Sequence, residues 1–537
     1  MSVANPRVVA REAVISTVVA ATLASILVWR GPPGVDLAAH VYQRTFLIQH
    51  GFQLWNNFWY AGRYTFVTYS LLYYPLAAVF GIKVLAVATI ASAALAFTLV
   101  ALRQWGDSAR LSSRTFAVLW AGIVLSAAFP FALAMSFALL SLWALQSGHR
   151  GRFALFAALC LGTSPLAFAL LGVLLGGAAL SRRSLRDARL PLAIMAGGAV
   201  VELALYRLFS EGGEFPFGIW QLAGAVVFCI IGLIATWGVP ASRPLRGLFV
   251  VYLFACLVVF AVPSQVGSNI ERIRYAALPL AVLVLSLRKW RPLKLVVPAL
   301  VLAAVWNVDP IVTSYTTASA DPGHSAAYWK PAIAYLHAHS SLSYRVEAVD
   351  TSDHWPAAYL PDAGIPIVRG WYRQSDFPQN ELLYDSPLHA RAYQAWLRSL
   401  GVRYVVLSDS TPDYSSRLEA QLIRSGRSGL VPVFRSAHIA VYELPNARSI
   451  VVGPGLASVA WLWATRIVMV VDKPGNYRVA LRWSPYWRTR QGCVSKEPDG
   501  MVRLTIARAG YVDLNMSPNL SRGLATLAGV DGKRRCG

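Results

Sequence analysis

The sequence predicts an α-helical polytopic membrane domain of about eleven segments, followed by an extracytoplasmic α/β domain and a small β-sandwich. Three observations predict it. The 537-residue chain is 56% hydrophobic with a mean hydropathy of +0.48, as in multi-spanning proteins. Apolar runs long enough to cross a bilayer stop at about residue 308. Beyond that point strand-like and helix-like runs alternate, and then only short strands remain between turns. The formal charge of +23 follows the positive-inside rule in the loops between apolar runs, which argues against a nucleic-acid partner.

In chain order, Arg7 and Arg11 place the N-terminus in the cytoplasm. The first segment, about 13–29, reads as a retained signal anchor, because Arg30-Gly31-Pro32-Pro33 follows it and no small-residue cleavage site does. It delivers Arg30–Pro75 to the outer side. The second, about 76–102, returns to a loop bearing Arg103, Arg110 and Arg114, and 115–129 and 131–147 form a hairpin turning at Pro130. The next run, Phe153–Leu180, has 28 residues, whereas two full spans need roughly 40. Basic residues flank both of its ends: Arg150 and Arg152 before it, Arg182, Arg183, Arg186 and Arg189 after it. The expectation is a pair of short helices meeting at Gly162-Thr163-Ser164-Pro165, with one long kinked helix as the alternative. Segments 190–209, 219–238, 247–263, 275–287 and 295–308 then leave the C-terminal half outside. Glu202 is an acid within a span, hence a functional candidate or, being near the segment's outer end, a structural residue.

Arg30–Pro75 organises the rest. It is too polar to span, rich in Trp, Tyr and Arg, and Asp36 is its only carboxylate. Gly31-Pro32-Pro33-Gly34 ends the preceding helix, Asp36 stands at an N-cap position and Gly51 at a C′ position. Asp36, His40, Gln43, Arg44 and Leu47 share one helical face. Asp36 caps this helix, or the stripe of acid, imidazole and guanidinium deprotonates a hydroxyl and holds a phosphate; the two are compatible. The loop 264–274 lies outside by count yet carries Arg272 and Arg274, whose partner is a lipid-linked phosphate or, more simply, Glu271 in a surface ion pair.

In the C-terminal half, Tyr344–Asp350, Ile365–Arg369 and Val402–Ser408 read as strands, and Ser386–Leu400 and Asp413–Ser425 as helices. Val431–Phe434 and His438–Leu444 add a hairpin. Later strands are YRVALRW, MVRLTIA and YVDLNM, separated by Pro-Gly-Asn, Pro-Asp-Gly and Ala-Gly turns. Cys160, Cys229 and Cys256 fall in spans, while Cys493 and Cys536 fall in the outer β domain, where an oxidising compartment permits a disulfide between them. Asp350, Asp353 and His354 read as a solvated turn rather than a metal site; no metal or nucleotide motif is present.

The stretch LWNNFWYAGRYTFVTYSLLYYPLAA, following Asp36, resembles the first outer loop of polytopic GT-C glycosyltransferases. GSNIERIRYAALP resembles a late loop of bacterial GT-C-like membrane proteins, including those related to 6-pyruvoyl-tetrahydropterin synthase. GNYRVALRWSPYW and DGMVRLTIARAGYVDL are similar to the terminal β domain of YfhO-like membrane proteins. The resemblance implies a GT-C-like domain over 1–308 with its first outer loop at 30–75, an α/β domain at 309–448 and a β-sandwich at 449–537. It implies an enzyme of the plasma membrane that needs no cofactor and takes a polyprenyl-phosphate-linked sugar as donor. The acceptor is a cell-envelope glycan or glycolipid. Asp36 matches the family's loop acid and would act as general base, oriented by His40. Arg44, Asn269, Arg272 and Arg274 would hold the donor phosphate, and Trp55, Trp59, Tyr60 and Arg63 the sugar or acceptor. The family often carries a second acid near the first, which this loop lacks. The alternative is a non-catalytic membrane protein whose outer domains bind envelope glycan or a protein partner.

Overall fold

The structure, a computed structural model, describes residues 5–181, 188–211, 213–529 and, by backbone alone, 535–536. The basic residues Arg182, Arg183 and Arg186 lie outside the described residues. The chain divides into two compact units. The first takes in the described residues up to Val35, with Tyr69–Leu203 and Glu214–Ser319. The second takes in Asp36–Thr68, Ala204–Gly213 and the chain from Ala320 onward.

The helices of the first half, in order, are α1 (Pro6–Arg30), α2 (Leu37–His50), α3 (Tyr73–Phe80), α4 (Ile82–Trp105), α5 (Arg110–Trp120), α6 (Ile123–Ser126), α7 (Phe129–Gln146), α8 (Arg150–Thr163), α9 (Pro165–Leu180), α10 (Arg189–Leu208), α11 (Ile219–Thr236), α12 (Arg243–Ala261), α13 (Ala277–Leu287) and α14 (Leu293–Ala320). Among the described residues, seven helical stretches are long and apolar enough to cross a membrane: α1, the run from α4 through α6, α7, α10, α11, α12 with its leading turn, and α14. This is the signature of a membrane protein. Helix α1 starts at Pro6, earlier than hydropathy indicates, because Pro6 is a favourable first residue and the Asn5 side chain accepts from the Arg7 amide at 3.0 Å. Helix α14 runs to Ala320 instead of ending near 308. Asn307, polar and mid-helix, has its Oδ1 engaged there by the Leu278 amide at 3.1 Å, and the helix runs on through it.

The Phe153–Leu180 run is two helices, broken at Ser164, which is extended at φ −158°. Pro165 can offer no amide to continue the ladder. The freed carbonyl of Gly162 accepts instead from the Leu71 and Leu72 amides at 2.9 and 3.1 Å. A break in a helix requires such a substitute partner for the carbonyl that it frees. Further along, α9 and α12 touch backbone to backbone: a Cβ on Gly247 would lie 2.1 Å from the Gly177 carbonyl oxygen.

Basic residues collect at one end of this unit. Glu12, fully buried, is held by Arg11, Arg110 and Arg114 at 3.2, 3.2 and 2.8 Å. Beside them Arg103 donates to the Gln146 carbonyl at 3.2 Å and the Trp105 indole to Ala241 at 2.9 Å. Arg288 donates to the Ala235 carbonyl at 2.9 Å, closing the end of α11.

The second unit contains α2, the hairpin β1 (Trp55–Asn56) and β2 (Arg63–Tyr64), and the C-terminal elements. Strands β3 (Arg345–Ala348), β4 (Val402–Ser408), β5 (Val431–Arg435) and β6 (Ile439–Glu443) form a mixed sheet of order β3-β4-β6-β5, with β3 and β4 parallel. Around it lie α15 (Ala326–His339), α16 (Pro356–Asp362), α17 (Ala390–Ser399) and α18 (Arg417–Arg424). Nine further strands follow: β7 (Val451–Val452), β8 (Ala457–Trp463), β9 (Arg466–Val471), β10 (Gly475–Arg482), β11 (Trp487–Arg488), β12 (Gly492–Lys496), β13 (Met501–Ile506), β14 (Gly510–Met516) and β15 (Arg535–Cys536), with α19 (Leu520–Leu527) between the last two. They make two antiparallel sheets, β15-β12-β13-β10-β7 and β11-β14-β9-β8, that share one apolar core. Cys493 is disulfide-bonded, and its strand register places it opposite Cys536.

The first loop is not interfacial dressing on the helices. Trp55, Phe58 and Tyr64 belong to the core between those two sheets. The Asn57 side chain donates to the Trp463 carbonyl at 2.7 Å, and Ala61 accepts from the Arg482 amide at 2.9 Å. An aromatic-rich segment serves a bilayer interface and a β core equally well, and composition alone does not separate them.

Candidate functional site

Helix α2 carries the stripe of Asp36, His40, Gln43 and Arg44. Asp36 occupies the N-cap position with φ −87° and ψ 5°, yet its side chain makes no capping bond. Instead its Oδ1 accepts from the Trp371 indole at 2.7 Å. Among the described residues no hydrogen bond reaches its other oxygen, and the residue is only partly buried. His40 is fully buried, its ring set edge-on to the same Trp371 at 5.6 Å. Gln43 donates to the Tyr372 hydroxyl at 2.8 Å, and Arg44 is half-buried one residue on.

Trp371 and Tyr372 stand in the segment 369–376, and buried charges anchor it on either side. Arg369 grips Asp376 at 2.8 Å and donates to Ser415 and Ser416 at 2.9 and 2.7 Å. Arg373 pairs with Asp413 at 3.0 Å and with Asp350, which also holds His354 at 2.7 Å. Burial pushes Asp350 up, but His354 and Arg373 outweigh it and hold the carboxyl at about 2. The expectation of a solvated turn at Asp350, Asp353 and His354 is therefore corrected: all three are buried, and Arg373, from another part of the chain, meets Asp350 and His354 there. His354 adopts φ +61°, a strained value for a residue with a Cβ.

Asp353 is 1% exposed, and among the described residues its Oδ1 has no hydrogen-bond partner. Burial first, then the charges of Asp321, Asp36 and Asp350, raise its pKa to about 7 against the pull of His354. Asp353 precedes α16, and α16 packs on α2. Asp353 thus feels the charge of Asp36.

Of the expected sugar-contacting residues, Trp59 is 1% exposed, its indole bonded to the Ala357 carbonyl at 2.8 Å and its ring against Tyr42 at 4.6 Å. Gly370 backs it so closely that a Cβ there would lie 2.9 Å from the ring. No ring face is open, and the residue is a packing element. Tyr60 is likewise enclosed, its hydroxyl bonded to the Gly370 carbonyl at 2.8 Å. Arg63 stacks on the Tyr372 ring at 3.4 Å and pairs with Glu211 at 2.9 Å. Trp55, Tyr60 and Arg63 nonetheless border one cavity of about 430 Å³, together with Glu211, Arg482 and Trp483.

Asn269, Arg272 and Arg274 belong to the first unit, in the turn Gly267–Ala276. Backbone bonds from Phe215 to Ser264 at 2.9 Å and from Ser268 to Pro216 at 3.2 Å fasten this turn. Arg272 lies over the Phe131 ring at 5.1 Å, and neither arginine makes an ion pair among the described residues. Glu271 is 4% exposed, so the surface ion pair expected for it is corrected: it points inward, and burial raises it to about 7 despite Arg274.

Sequence reasoning had no signal for Trp371 or Arg482, whose partners Asp36 and Tyr60 are distant in the chain; it noticed Asp353 but not its burial. No protein-family model and no curated protein matches this chain.

Proposed function

We propose that the protein is a GT-C-type membrane glycosyltransferase that moves a sugar from a polyprenyl-phosphate donor to an acceptor hydroxyl. The observation that carries this is Asp36. A carboxylate that serves only as a cap would bond its own helix; this one is turned to an indole N–H, with one oxygen held and the other unengaged. In the proposed step Asp36 takes the acceptor's proton as its oxygen bonds to the anomeric carbon, and the bond to the donor phosphate breaks with its electron pair. Trp371 and His40 are positioning residues. Arg272 and Arg274, half-buried and without ion pairs among the described residues, carry the charge that a phosphate calls for.

The gathering of Arg11, Arg103, Arg110, Arg114 and Arg288 at one end supports a cytoplasmic face there, in the plasma membrane, with the C-terminal domains outside. Topology reporters would then read cytoplasmic near Arg186 and extracytoplasmic after Leu400; an external signal near Arg186 would reverse the assignment.

The test is sugar transfer by purified protein in detergent. Asp36→Asn retains shape and capping ability, so a cap-only role leaves the rate unchanged. A general base predicts a fall of about 10²–10⁴-fold with folding intact. A second reading, a non-catalytic protein binding envelope glycan or a partner, is favoured by the enclosure of Trp59. Absence of transfer in the parent across a panel of donors would select it.

A further inference from the structure

The cavity bordered by Arg63 and Arg482 is not used by the Asp36 chemistry. Its charged groups are unequal in number and in satisfaction. Glu211 is the only acid among the lining residues, and it is already taken by Arg63 at 2.9 Å and by the Tyr64 amide. Arg482 donates through Nε to the Tyr60 carbonyl at 3.3 Å, but among the described residues both terminal nitrogens are buried without a hydrogen-bond partner. Burial pulls its pKa down to about 10, the mark of a cation kept from water without full compensation. Arg207 and Lys496 also line the cavity and are exposed, adding two cations where it meets solvent. Ser375 and Gln379 supply neutral hydrogen-bonding groups, and Trp483 a partly exposed ring.

A buried guanidinium fork without an acid is costly to a fold and well matched to a planar or tetrahedral oxyanion. A volume of about 430 Å³ suits a small molecule rather than a lone ion. We propose that this cavity is a binding site for a small anionic saccharide, its carboxylate or phosphate held by Arg482 and its hydroxyls by Ser375 and Gln379. The site stands on the cavity and Arg482 alone, whether or not Asp36 transfers a sugar.

The experiment is equilibrium binding to the full-length protein in detergent, read by tryptophan fluorescence and calorimetry. The probes are glucuronate, glucose 6-phosphate, glucose and inorganic phosphate. Saturable binding of glucuronate or glucose 6-phosphate, tighter than glucose and than inorganic phosphate, is the expected result, and the stronger of the two identifies the anion. Arg482→Gln should weaken it about 10- to 100-fold, the loss of one charge-assisted pair, while the melting temperature holds or rises. Lys496→Gln, at an exposed position, should weaken binding less and leave melting unchanged. The proposal is overturned if neither anionic sugar binds saturably, if glucose binds as tightly as they do, or if inorganic phosphate alone accounts for the affinity. It is also overturned if Arg482→Gln lowers the melting temperature and Lys496→Gln leaves binding untouched, since Arg482 would then serve only the fold. None of these outcomes depends on sugar transfer, so they leave the Asp36 reading separately testable.

Discussion

Replacing Trp55 by Ala tests whether the first loop is a core element of the second unit. Trp55 is 1% exposed. Its ring meets Tyr64 edge-on at 4.9 Å and Trp487 at 5.4 Å, and its indole donates to Asn57 at 2.8 Å. Gly62, at φ +102°, packs so tightly that a Cβ would lie 2.6 Å from the indole. With a glycine on one side and β-sheet aromatics on the other, the space left by the ring cannot collapse well. Loss of a buried Trp costs about 3–5 kcal/mol. For a unit of this size each kcal/mol moves the melting point by about 2–4 °C, so a drop of about 6–20 °C is expected. Thermal unfolding in detergent, followed by fluorimetry, reads it. Trp461→Ala is the control: Trp461 is 48% exposed and should change stability by no more than about 0.5 kcal/mol. Equal shifts for the two variants, or a shift under about 3 °C for Trp55→Ala, would refute the assignment of this loop to the β core.

Two further outcomes follow from the charges and the helix contacts. Asp353 titrates at about 7 in the folded protein against an ordinary 3.8, so its burden on stability is absent below pH 4 and grows as pH rises to 7. The loss approaches about 4 kcal/mol at one 1.36 kcal/mol step per unit. Asp353→Asn should therefore raise the melting temperature at pH 8 and leave it unchanged at pH 4; parallel pH profiles for variant and parent would remove this account. Gly247→Ala sets a methyl against the Gly177 backbone and should lower thermal stability by about 1–3 kcal/mol, whereas Gly151→Ala, with nothing within 4 Å of the new carbon, should not; indistinguishable melting curves would show that the α9–α12 contact yields.

Local signals carried much of the architecture. The break before Pro165 is visible because a proline after a polar pair is a local event, and Val402–Ser408 is visible because its apolar run is bounded by turns. Strands β8 and β9 are harder to read, since only Ala464-Thr465 separates ASVAWLW from RIVMVV and neither residue is a strong turn former. The candidate site was half legible. Helix periodicity put Asp36 and His40 on one face, but the indole that holds Asp36 is 335 residues away. No local pattern encodes such a pairing. The same holds for Asp350, a solvated acid by composition until Arg373 is brought to it from 23 residues downstream.

The hairpin of β1 and β2 also sets a clock on synthesis. Tyr64 emerges first, and its hydroxyl partner Ser484 follows 420 residues later. At about 5–20 residues per second the wait is roughly 20–80 s. Throughout it, Trp55, Phe58 and Tyr64 have no core to enter. A nascent chain holding three large aromatic groups unburied for that long is a substrate for chaperones and for premature association. Truncation anywhere before Trp487 would leave Trp55, in the earliest part of the second unit, without the ring it packs against.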